Sequence, residues 1–147
     1  MPDIEFAFLA DAADARPGQK FNVLGGGIDR IGGATFPLVQ PHLALVIGLR
    51  VYSTELNREH EIKFVVLDAA GRELTAGVTN VVASGEATDR DSLVSFAVDL
   101  WSLSFPAPGD YSFRLLVDGS ERKRLPLGVI ARGALPVPPV GDRRFDA

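Results

Sequence analysis

The 147-residue chain contains no cysteine. That excludes disulfides, thiol nucleophiles and thiolate metal ligands, and it suits a reducing compartment. Only two histidines are present. A zinc site would need both His42 and His60 to converge with a carboxylate, and nothing in their spacing brings them together. The formal net charge is −4, so no global basic field recruits nucleic acid or an anionic membrane. No apolar run approaches the roughly 20 residues that span a bilayer. The opening Met1-Pro2-Asp3-Ile4-Glu5 puts acids where a secretion signal carries basic and then apolar residues. The expectation is a cytoplasmic protein with no cofactor, no metal, no nucleic-acid partner and no membrane partner.

What the chain does have is alternation, punctuated by 15 glycines and 10 prolines. Hydrophobic residues make up 46% and charged residues 23%, an ordinary globular balance. Pro108-Gly109-Asp110-Tyr111 leads into Tyr111, Phe113, Leu115 and Val117, which alternate with more polar neighbours as in a strand with one buried face. Asp118-Gly119 supplies the positive φ angles of a tight hairpin, and a last strand follows over residues 121–130. Pro-Gly-Asp-Tyr entering such a strand resembles the tyrosine corner of immunoglobulin-like sandwiches, so the Tyr111 hydroxyl should bond backbone a few residues upstream.

Further strands are expected over residues 4–10, 21–31, 43–52, 62–67, 73–82 and 93–100. Residues 43–52 are apolar at nearly every position and read as a central strand covered on both faces. Asp68-Ala69-Ala70-Gly71 reads as a bulged hairpin turn. Gly25-Gly26-Gly27 interrupts its strand at a bulge or a close backbone crossing. Pro126 marks the last strand as an edge, guarded by Arg122, Lys123 and Arg124. Only residues 11–16 and 55–61 could hold a helical turn. The fold class is therefore all-β, an immunoglobulin-like antiparallel sandwich of about eight strands. Its core is expected at Leu45, Ile47, Leu49, Phe64, Val66, Val94, Phe96, Phe113, Leu115 and Val117. The sandwich should occupy residues 1–133, and residues 134–147 a polyproline-like tail containing Leu135-Pro136-Val137-Pro138-Pro139-Val140.

Chemical constellations are sparse. The glycine triplet is followed by neither a Gly-Lys-Ser/Thr signature nor a helix, so it does not read as a phosphate loop. Glu86, Asp89 and Asp91 cluster before a strand, but Arg90 sits among them and their order matches no EF-hand. No nucleophile elbow occurs. Both histidines read as solvated surface residues, and Trp101 and Phe105 as plugs between the sheets.

The segments Phe6-Ala7-Phe8-Leu9-Ala10-Asp11-Ala12-Ala13, Gly18-Gln19-Lys20 with Gly25-Gly26-Gly27, and Pro106-Ala107-Pro108-Gly109-Asp110-Tyr111 together resemble an uncharacterised bacterial family of small immunoglobulin-like β-sandwich proteins, a domain of unknown function. The resemblance runs through Val129. The chain departs from the family pattern in placing Gln19 between Gly18 and Lys20. The resemblance implies a fold and a bacterial cytoplasmic setting, and no catalytic residues.

Two functional readings follow. The first is a non-enzymatic structural or protein–protein interaction module that self-associates, with a two-fold dimer as the expected closed form. Its contacts would be an open first-strand edge bearing Ile4, Phe6 and Phe8, or the tail anchored by Phe145. The alternative is a small-molecule or carbohydrate binder that uses Asp29, Arg30, Asp89, Asp91 and Trp101 in loops at one end of the sandwich.

Overall fold

The computed structural model describes residues 2–16, 19–85 and 90–132. Nine strands form: β1 (Asp3–Asp14), β2 (Asn22–Ile28), β3 (Arg30–Gly33), β4 (Leu38–Val51), β5 (Glu59–Leu67), β6 (Glu73–Val82), β7 (Ser92–Phe105), β8 (Gly109–Val117) and β9 (Ser120–Ala131). The one helical element among the described residues is a 3-10 turn at Ser53–Glu55. Residues 11–14, a candidate for a helical turn, instead extend β1. The strands make two sheets, β2-β1-β4-β7 and β3-β9-β8-β5-β6. The architecture is an all-β sandwich.

One strand more than the pattern suggested arises at Asp29. The segment read as a single strand breaks there, and β2 stays on β1 while β3 crosses to the other sheet. There β3 runs parallel to β9, from Arg30 against Gly128 to Gly33 against Ala131. That parallel pairing departs from an all-antiparallel sandwich, and it also makes β9 an interior strand where it carries β3. Pro126 lies just before that stretch and faces Ser112 of β8, so the missing N–H falls where β3 asks for no donor.

The main core fills the space between the sheets. Leu43, Leu45, Ile47, Leu49 and Val51 of β4 meet Val94, Phe96 and Phe105 of β7 and Phe113, Leu115 and Val117 of β8. Of the ten expected core residues, nine are buried and Phe64 is partly buried. Tyr111 closes one end: its hydroxyl donates to the Ala107 carbonyl at 2.6 Å, and its ring meets Phe105 edge-on at 4.9 Å. The Asp118-Gly119 turn has φ angles of 48° and 84°, the left-handed pair that a two-residue hairpin requires.

A second apolar layer covers β4 from outside. Ala44 and Val46 point away from the main core and lie under Phe6, Phe8, Phe21 and Val23. Gly48 faces Phe6 across the ladder, and any side chain there would strike the Phe6 ring. Phe21 precedes the Asn22–Asp14 pair, yet its ring lies 5.7 Å from that of Phe6. Eight extended residues from Phe6 to Asp14 would span about 26 Å, so the β1–β2 hairpin curls back over the sheet. The bend falls at the register shift between Leu9 and Ala10, two consecutive buried residues that serve opposite layers. Just past that shift Gly25, opposite Asp11 in the ladder, takes a φ of 60° and presses on the Asp11 carboxylate, a position no side chain could share.

Candidate interaction surfaces

The topology narrows the expected open first edge to residues 3–8, which include Ile4, Phe6 and Phe8 and pair with β4 alone. β1 is interior, paired with β4 from Asp3 to Ala10 and with β2 from Leu9 to Asp14. Residues 3–8 pair with β4 alone and residues 12–14 with β2 alone, so Leu9 and Ala10 are the positions of β1 paired on both sides. Ile4 packs against the main core, whereas Phe6 and Phe8 belong to the outer layer. Phe145 and the rest of the tail lie outside the described residues.

Four strands end the sheets, β2 and β7 in one and β3 and β6 in the other, and the two longest, β6 and β7, line one flank together. Between them runs an apolar cleft of about 220 Å³. Its walls come from Ile47, Ile62, Phe64, Gly77, Thr79 and Val98. Phe64 lies over Gly77, its cross-strand partner, which has no side chain to close the gap. Neither edge carries the usual guards against strand addition. The only charged residue in β6 is Glu73 at its start, and in β7 it is Asp99; neither strand contains proline. Val78, midway along β6, is 58% exposed.

The residues proposed for ligand binding do not converge. Asp29 and Arg30 share a shallow pocket of about 410 Å³ with Gly109, Asp110, Gly128 and Val129. Asp91 precedes β7, and Trp101 is the tenth residue of that strand, so an extended backbone of roughly 33 Å separates them. Asp89 and Glu86 lie outside the described residues.

Trp101 is not the core plug expected of it. Phe105 is fully buried, whereas Trp101 stands 71% exposed on the outer face of the four-stranded sheet. The positive φ of 52° at Ser102 lets the inward side chains Leu100 and Leu103 sit three positions apart, with Trp101 left outside. Across the ladder, His42 braces it with ring centroids 4.3 Å apart. His42 Nδ1 lies 2.7 Å from the Asp11 carbonyl, and Nε2 lies 2.7 Å from Asp99 Oδ1. Both partners only accept, so the ring donates from both nitrogens as an imidazolium. The Asp99 carboxylate is the main cause of its raised pKa.

His60 repeats this arrangement inside the protein, at 6% exposure. Its Nδ1 lies 2.9 Å from Asp118 Oδ2 and its Nε2 lies 2.9 Å from the Glu55 carbonyl. Burial opposes the charge, but the Glu55 carbonyl and the Asp118 carboxylate outweigh it and raise the pKa. Neither histidine is thus a free surface residue, and neither keeps a nitrogen open to accept a proton. Among the described residues no three His, Asp or Glu side chains gather as metal ligands. The sequence offered no signal for either clamp, because the partners lie 57 and 58 positions away.

The class the described residues define is an all-β sandwich of two sheets with two long edge strands on one flank. Residues 5–130 match the model of a family of unknown function (DUF6941), and the chain belongs to that family. No curated protein matches. Among solved structures, the chain is similar to Pseudomonas fluorescens alkylpurine DNA glycosylase AlkC bound to DNA containing an abasic site analog. That likeness has a TM-score of 0.43 at 9% identity and covers 84% of this chain and 30% of that one. A glycosyl hydrolase family 2 member from Bacteroides cellulosilyticus gives a TM-score of 0.36 at 13% identity, covering 64% of this chain and 14% of that one. The chain therefore spans less than a third of either relative.

Proposed function

We propose that this domain is a non-enzymatic protein–protein interaction module that self-associates through the β6–β7 flank. The carrying observation is the pair of unguarded edges framing an apolar cleft. Unpaired N–H and C=O groups along such an edge template a further strand, and proteins that must stay monomeric blunt them with charge or proline. Strand addition at this flank satisfies the edge while side chains fill the cleft. The immunoglobulin-like reading of the sandwich is supported by the Tyr111–Ala107 bond, and a bacterial cytoplasmic setting by the absence of cysteine and the family resemblance.

Light scattering on the full chain across a concentration series tests this reading, with a dimer expected. Val78→Glu places a carboxylate on the exposed face of β6, opposite Lys63 in the ladder, so the edge gains a charge without a cross-strand penalty. Thr79→Lys does the same from within the cleft. Both variants should be folded monomers. A wild-type chain that stays monomeric at high concentration overturns the proposal, as does a dimer indifferent to both substitutions.

A further inference from the structure

The outer face bearing Trp101 differs in kind from the cleft, being aromatic and built on the outside of the four-stranded sheet, although Asp99 borders both. We infer that Trp101 and His42 form a docking platform for the proline-rich segment of this same chain, Leu135-Pro136-Val137-Pro138-Pro139-Val140. Three observations converge on that occupant.

The platform is pre-formed. His42 is held at both nitrogens, by the Asp11 carbonyl and the Asp99 carboxylate, and it braces the indole at 4.3 Å. The indole is thus fixed while 71% of the residue's surface remains open. A rigid, exposed aromatic is what polyproline recognition uses, because proline rings pack on it and the segment loses little entropy on binding.

The reach fits. Arg132 donates its N–H to the Gly33 carbonyl at 2.8 Å, and Gly33 lies against the Leu38 side chain. Leu38 opens β4, and four positions later His42 pairs with Trp101, about 13 Å along the strand. Counting the steps from Arg132 to Leu38, the platform lies roughly 20–25 Å from where the described chain ends. At about 3.1 Å per residue in polyproline form, residues 135–140 cover roughly 10–25 Å from Arg132.

The composition excludes the competing location. Prolines at 136, 138 and 139 remove the donors that a ladder on β6 or β7 would require, so this segment suits a face and not an edge.

Trp101 is the only tryptophan in the chain, so its fluorescence reports on the platform directly. Acrylamide quenching is measured on the full-length protein and on a full-length Pro136→Ala/Pro138→Ala/Pro139→Ala variant, which leaves the sandwich untouched. The wild type should show a blue-shifted, protected indole, and the variant should show a red-shifted indole with a several-fold larger quenching constant. Protection independent of protein concentration assigns the site to the chain's own tail, and protection that grows with concentration assigns it to the tail of a second copy. An indole as accessible in the wild type as in a free tryptophan peptide overturns the inference. Protection that survives the triple substitution also overturns it, since another group then covers Trp101.

Discussion

Replacing His60 with alanine separates a buried structural cation from a spectator. The ring spans two segments that the hairpin turns alone would leave independent, the 3-10 turn at Ser53–Glu55 and the β8–β9 turn. It donates to the Glu55 carbonyl and to Asp118 Oδ2, each at 2.9 Å. Asp118 Oδ1 in turn accepts the Glu61 N–H at 2.9 Å, so the one carboxylate ties the turn to β5 twice. A hydrogen bond from a charged donor contributes about 1.5–3 kcal/mol. The Asp118 side chain is 34% exposed, which brings its share down to the scale of surface pairs, about 0.5–1 kcal/mol. His60→Ala should therefore cost about 2–4 kcal/mol near pH 6.

The sign of the pH dependence follows from the raised pKa of His60. A histidine titrating near 6.5 when unfolded and higher when folded contributes its full stability below about 6.5. That contribution is lost as pH rises through the folded value, because the neutral ring donates from only one nitrogen. The Asp118 carboxylate works in the opposite sense. Burial opposes its charge, but His60 and the Glu61 N–H hold it below its ordinary range, so its contribution fades only in acid. Urea unfolding of wild type and His60→Ala near pH 6 and near pH 9 gives the difference directly, and His42, present in both, cancels. The cost of the substitution should be smaller at the higher pH. A cost that is equal at the two pH values, or larger in alkali, refutes the buried imidazolium.

Tyr111→Phe removes the hydroxyl bonded to Ala107 and should cost about 0.5–1.5 kcal/mol by denaturant unfolding, with the β8–β9 hairpin intact. Phe113→Ala opens a cavity in a fully buried part of the core and should cost about 3–5 kcal/mol, a large fraction of the stability of a domain this size; a loss below about 1 kcal/mol would refute its placement.

The amino-acid sequence by itself determined the local grammar of this fold. Alternation at Tyr111, Phe113, Leu115 and Val117 needs nothing beyond the period of a strand and one apolar environment. Asp118-Gly119 and Gly71 announce their turns because positive φ excludes most side chains. The unbroken apolar run of β4 predicted cover on both faces, which the main core and the Phe6–Phe8–Phe21 layer provide. Which strands end the sheets was not legible in the same way. Edge status depends on pairing between distant segments, and the crossing of β2–β3 at Asp29 made β2 and β3 the ends of one flank and left β6 and β7 as the ends of the other. Trp101 and the two histidines were misread for a related reason. A side chain's face is set by local backbone turns such as the positive φ at Ser102, and its partners by register across 57 or 58 residues. Neither leaves a periodic trace along the chain. Short-range sterics wrote the strands and turns, and only the packing of two sheets decided which surfaces remained open to a partner.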